Sequence, residues 1–129
     1  MVLKLIDVFR AYKAASEMGG LQLPYGLALA LVRVKRATEG EALFFIERER
    51  ELALEYADLG SDGGLRMASQ GRFALKDPLK AGDYEAARAE LCGTEVEFPE
   101  WLRSEAAAPG EIKPDWLDAL EPFIEFAGG

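Results

Sequence analysis

The chain has 129 residues, half of them hydrophobic, with 23 acids against 15 bases and a net charge of -8. That length suits one domain, 1–129, around a single core, and the composition is that of a folded chain. The acidic balance excludes generic nucleic-acid binding, which needs a basic surface to displace counterions. A lone cysteine, Cys92, excludes an internal disulfide and suits a reducing compartment.

In chain order, Val2 to Leu5 reads as a short strand and Ile6 to Met18 as a helix, with Leu5, Val8, Phe9, Tyr12 and Ala15 on one face. Gly19-Gly20 supplies the stop, since glycine tolerates the left-handed conformation that ends helices. Pro24 then opens a long helix to about Asp58. Leu27, Leu31, Val34, Thr38, Ala42, Phe45, Leu52 and Tyr56 keep a rhythm near 3.5 residues, with Glu49 filling one slot. Such a helix is roughly 50 Å long. Gly40 weakens its middle by about 1 kcal/mol relative to alanine, so a kink or break is expected near Thr38 to Glu41.

Gly60 to Gly64 is a loop. Leu65 to Ser69 and Arg72 to Leu75 flank Gln70-Gly71 and predict a β-hairpin. Asp77-Pro78 opens a further helix to about Leu91, ended by Gly93. Thr94 to Phe98 alternates like an exposed strand, and Pro99 to Gly110 reads as irregular. Lys113-Pro114-Asp115 starts a short helix carrying Trp116, Leu117 and Leu120, broken by Pro122. Phe123 to Phe126 is an apolar tail expected to dock on the core. The expected fold is α+β, mainly helical, with a long central helix and a small antiparallel hairpin or sheet.

Charge is uneven along the chain. Residues 1–36 carry +4, residues 37–93 carry -5 and residues 94–129 carry -7. A basic start and an acidic end can attract each other, within one chain or between copies. No apolar run approaches the ~20 residues that span a bilayer. The opening residues lack a signal peptide's layout, because Asp7 and Arg10 interrupt the apolar stretch. The expected place is the cytoplasm of the producing cell.

Catalytic chemistry is scarce. The chain has no histidine, which removes the commonest general base and, with one cysteine, any nitrogen/sulfur zinc site. Cys92 reads as a small apolar residue, because nothing of the kind that activates a thiol accompanies it. Asp58 to Gly63 resembles the start of a calcium loop, but Ser69 stands where the twelfth-position carboxylate should be. Gly60 to Gly64 lacks the lysine and hydroxyl residue of a phosphate loop. No catalytic residue, cofactor or metal site is assigned.

Four residues are candidates for contact with a partner or an anion. Arg33, Lys35 and Arg36 form the only basic cluster, though such clusters are ordinarily helix surface. Trp101 lies in an acidic, proline-flanked stretch, and tryptophan is enriched where proteins meet. Trp116 reads as a core residue.

Two stretches carry a family resemblance. One is Leu21-Gln22-Leu23-Pro24-Tyr25-Gly26-Leu27-Ala28-Leu29-Ala30-Leu31, continuing through Phe45, Glu47, Arg48 and Glu49 to Leu54, Glu55 and Tyr56. The other is Thr94 to Phe98 with the closing Asp115-Trp116-Leu117-Asp118-Ala119-Leu120-Glu121-Pro122-Phe123-Ile124. In their order these resemble small tailed-phage and prophage proteins of unknown function (domain of unknown function 1617). The chain departs from that pattern in having arginine and alanine in the long helix where lysine is common. Its stretch from Ala106 to Gly110 is also poorer in polar residues. The resemblance implies a phage origin and brings no catalytic residues. It leaves two expectations. One is a non-enzymatic structural or accessory protein acting through contacts with itself, as a homo-oligomer, or with another phage or host protein. The other is an anti-defence protein that binds a host immune protein or sequesters a nucleotide signal near Arg33, Lys35 and Arg36. Either would act in the host cytoplasm or on the virion, with no nucleic-acid or membrane partner.

Overall fold

The computed structural model describes residues 1–59, 64, 67–69, 72–109 and 112–127. Among the described residues four helices carry the fold: α1 (Leu5–Met18), α2 (Tyr25–Tyr56), α3 (Ala81–Cys92) and α4 (Pro114–Leu120). The strands are short: β1 (Val2–Lys4), β2 (Met67–Ser69), β3 (Arg72–Phe73), β4 (Glu95–Glu97), β5 (Ser104–Ala107) and β6 (Ile124–Ala127). The architecture is mainly helical α+β.

α1 packs along the first half of α2. Its contact face is Val8, Ala11, Ala14, Ala15 and Met18, all buried. Of the residues expected on this face, Leu5, Val8 and Ala15 are buried. Phe9 and Tyr12 fall at its half-buried edge, and alanines fill its centre. Small side chains let two helix backbones approach, so alanine serves the interface better than the larger apolar residues. Gly19 closes α1 in the right-handed region, with φ -62° and its N–H bonded to the Ser16 carbonyl, so the expected left-handed stop is not used.

α2 runs unbroken for 32 residues, about 48 Å. The break expected near Gly40 does not occur. One glycine costs about 1 kcal/mol, and buried Thr38 and Ala42 anchor the helix on either side of it. Thr38 is the only buried polar side chain among the described residues, and its hydroxyl donates to the Val34 carbonyl at 2.7 Å. The expected inner face is observed: Leu27, Leu31, Val34, Thr38, Ala42, Phe45 and Leu52 are buried and Tyr56 is half-buried.

The main cluster gathers α1, the first half of α2, and the C-terminal segment. Phe98 and Phe123 meet edge to face at its centre, 5.3 Å between ring centroids. The tail expected to dock does so, with Phe123 and Ile124 fully buried, and it forms β6. The partner of β6 is β5, pairing in parallel from Ser104 opposite Ile124 to Ala107 opposite Ala127. α4 lies in the crossover that a parallel pair requires. The stretch expected to be irregular therefore holds a 3-10 turn (Glu100–Leu102) and a strand.

β1 and β4 pair antiparallel, placing Lys4 opposite Glu95. β2 and β3 pair antiparallel as the expected hairpin, while its turn residues, 70 and 71, lie outside the described residues. So do 60–63, which hold most of the loop and of the calcium-like stretch. Asp77 opens the third helical segment as expected: its Oδ1 accepts the Leu79 N–H at 3.0 Å ahead of a 3-10 turn that runs into α3.

Val34 is the last residue of α2 in the main cluster. The second half of α2 is covered by α3, which buries no residue fully, and by a chain of rings. Tyr84 stands 5.6 Å from Tyr56 and 5.1 Å from Phe73, edge-on to both. Arg88 donates to Glu49 at 3.0 Å beside them. One strand-like bridge, Ala57 to Leu75, ties the end of α2 to the segment after the hairpin.

Candidate functional site

The geometry of α2 decides which of its residues can meet a partner. With about 100° between successive residues, the inner face is filled as described above, and the opposite side faces solvent. Tyr25, Val32, Leu43 and Leu54 recur there at intervals of 7, 11 and 11 residues, each close to a whole number of turns. They form a second apolar stripe. Phe44 and Ile46 flank it, and Tyr25 is 82% and Leu43 and Phe44 are each 50% exposed. Six of the eleven large exposed hydrophobic side chains of the described residues sit on this one helix. Arg36, Glu47 and Arg50 lie on the same face between these side chains, so the face alternates apolar and charged positions along the helix.

Arg33, Lys35 and Arg36 are all exposed on the first half of the same helix, and none forms an ion pair among the described residues. Trp101 is 77% exposed on the turn Glu100–Leu102, anchored from beneath by buried Leu102. It belongs to a different element from the three bases, and no hydrogen bond joins them. The four candidate residues are thus exposed, on two different elements.

The chain matches no family model, no curated protein and no solved structure.

A concave site lies elsewhere, between α1 and α4. This cleft of about 500 Å³ is lined by Arg10, Lys13 and Glu17 from one side and Lys113, Asp115, Trp116 and Asp118 from the other. The Trp116 Nε1–H donates to Glu17 Oε2 at 3.2 Å, and Lys113 Nζ stands 5.0 Å above the indole ring. Trp116, expected in the core, is therefore half-buried, with its body on the cluster and its polar edge in the cleft. The uneven charge of the chain finds an outlet here, since the basic start and acidic end line one cleft. The cleft is not legible in the sequence, because its two walls are about a hundred positions apart.

Among the described residues no group of histidine, cysteine, aspartate and glutamate side chains is placed to hold a metal ion. No described helix is long and apolar enough to cross a membrane. Two perturbed groups occur among the described residues, both where α3 meets α2. Burial pushes the Tyr84 phenol up, Arg88 opposes this, and the Glu49 carboxylate adds to it. Burial acts to lower the Arg88 pKa, but Cys92 and Glu49 outweigh it, so Arg88 stays charged. Cys92 is half-buried.

Proposed function

We propose that the protein is a phage-encoded, non-enzymatic structural or accessory protein that works through protein contacts made by the outer face of α2. The observation that carries this reading is the apolar stripe of Tyr25, Val32, Leu43 and Leu54 with Phe44 and Ile46 beside it. A helix that buries one face and leaves a second apolar face in water has a surface that a partner can cover. The phage origin rests on the resemblance of the Leu-Pro opening of α2 and of the closing Leu-Glu-Pro-Phe-Ile segment.

Genetics tests it. A phage or prophage lacking the gene should lose particle yield or infectivity. The wild-type gene should restore it, and a Leu43→Glu, Phe44→Glu variant that still folds should not. Full rescue by that variant would remove the outer face of α2 from the function. A gene lying among tail and lysis genes would support the structural role.

Arg33, Lys35 and Arg36, which form no ion pair among the described residues, favour a second reading, in which the protein counters host defence by holding an acidic partner or a nucleotide signal on that patch. Protection of a phage against a defended host, lost in an Arg33→Ala, Lys35→Ala, Arg36→Ala variant, would select it. Unchanged plaque counts across a panel of defence systems would reject it.

A further inference from the structure

We infer that the outer face of α2 is covered by a second copy of this chain, laid antiparallel, with the two-fold axis beside Gly40. This rests on the reading of α2 as a contact surface and names its occupant.

Charge is the first reason for a second copy in that direction. The first half of α2 exposes Arg33, Lys35 and Arg36 against one acid, Glu39. The second half carries five acids against Arg48 and Arg50. Two such helices side by side and parallel set like charge on like, while antiparallel they set the basic half of each on the acidic half of the other.

Position is the second reason. The ends of the stripe mirror each other about the middle of the helix, Tyr25 with Leu54, while Val32 and Leu43 mirror onto the charged Glu47 and Arg36. An antiparallel pair crossing between Glu39 and Gly40 brings Tyr25 beside the partner's Leu54, Val32 and Arg33 beside its Glu47, and Arg36 beside its Leu43. Each contact is then made twice, as a two-fold interface requires.

Gly40 is the third. It lies at the middle of α2, borders the stripe, and is exposed, with no atom within 4 Å of the place a Cβ would take. Inside its own chain nothing requires a glycine there. At a helix crossing, a missing side chain lets the two backbones come close.

The same arrangement sets the two copies of Glu39 facing each other across the axis, an unfavourable pair. The face is about 48 Å long and ~10 Å wide, so the pair buries about 1,000 Å² in total, the size of a weak, reversible interface. Association in the micromolar range is expected.

Cysteine cross-linking with sedimentation analysis tests this in the full chain, with Cys92→Ala as background. Gly40→Cys should oxidise to a covalent dimer. Glu55→Cys should not, because in an antiparallel pair that position lies roughly 45 Å from its mate. Arg33→Glu should weaken dimerisation about tenfold, since two equivalent surface pairs turn repulsive. The double exchange Arg33→Glu, Glu47→Arg should restore it, and Glu39→Gln should tighten it. Cross-linking through Glu55→Cys would mean parallel copies and would overturn the inference. A chain that stays at 14.2 kDa at all concentrations would overturn it too. If such a monomer still lost function on Leu43→Glu, Phe44→Glu, the contact surface would stand with a different protein as its occupant.

Discussion

Phe44 and Phe45 are neighbours in sequence and opposites in the fold, which makes them a sharp test of how α2 is oriented. Phe45 is 1% exposed, and its ring lies 4.9 Å from that of Phe9. Truncating a buried phenylalanine to alanine costs about 3–5 kcal/mol, through lost burial and the cavity left behind. Against a total stability of about 5–15 kcal/mol, Phe45→Ala should remove a large fraction. Phe44 is half-exposed. Its truncation forfeits part of about 2 kcal/mol of burial and gains about 0.5 kcal/mol of helix propensity, for a net loss below about 1 kcal/mol. Urea unfolding followed by circular dichroism, at concentrations dilute enough to keep copies apart, measures both. Equal losses, or a larger loss for Phe44→Ala, would show that the inner and outer faces of α2 have been assigned the wrong way round.

Gly40→Ala should stabilise the dilute protein by up to about 1 kcal/mol, because a Cβ meets nothing there and alanine favours the helix; a loss of stability would mean that α2 does bend at this point. Asp77→Ala should cost about 1 kcal/mol by releasing the Leu79 N–H, with Asp77→Asn recovering most of it; equal losses in thermal unfolding would exclude the capping bond. The Tyr84 pKa is raised above the ordinary 10.0, so the folded chain holds that proton more tightly than the unfolded one. Its contribution to stability is present below the ordinary phenol range and is lost as pH rises through the raised pKa. Phenolate absorbance should show a late-titrating step that disappears in Tyr84→Phe, and a step that survives the substitution would contradict the assignment.

Local signals carried much of the fold. The inner face of α2 was legible because its apolar positions repeat at helical spacing over nine turns, and Asp77-Pro78 announced its turn by side-chain chemistry alone. The misses have a common cause in non-local partners. Ser104-Glu105-Ala106-Ala107 has little intrinsic strand preference, and it is a strand only because β6 lies beside it. The face of α1 was legible in Leu5, Val8 and Ala15 but not in Ala11 and Ala14, because alanine is a weak hydrophobic signal yet an effective packing residue. Gly40 suggested a break because propensity counts the local cost and not the packed residues on either side. At the site, the basic trio was visible as a charge cluster. The outer apolar stripe was not, because Leu43 and Leu54 lie eleven residues apart, beyond the reach of a heptad pattern.

The direct test of the account is the molar mass of the protein, measured by light scattering or sedimentation across a concentration series, for the wild type and for Leu43→Glu. The wild type should rise from 14.2 kDa toward twice that mass over micromolar concentrations while Leu43→Glu stays at the lower value. A wild type that holds 14.2 kDa throughout, or a variant that associates just as well, would contradict it.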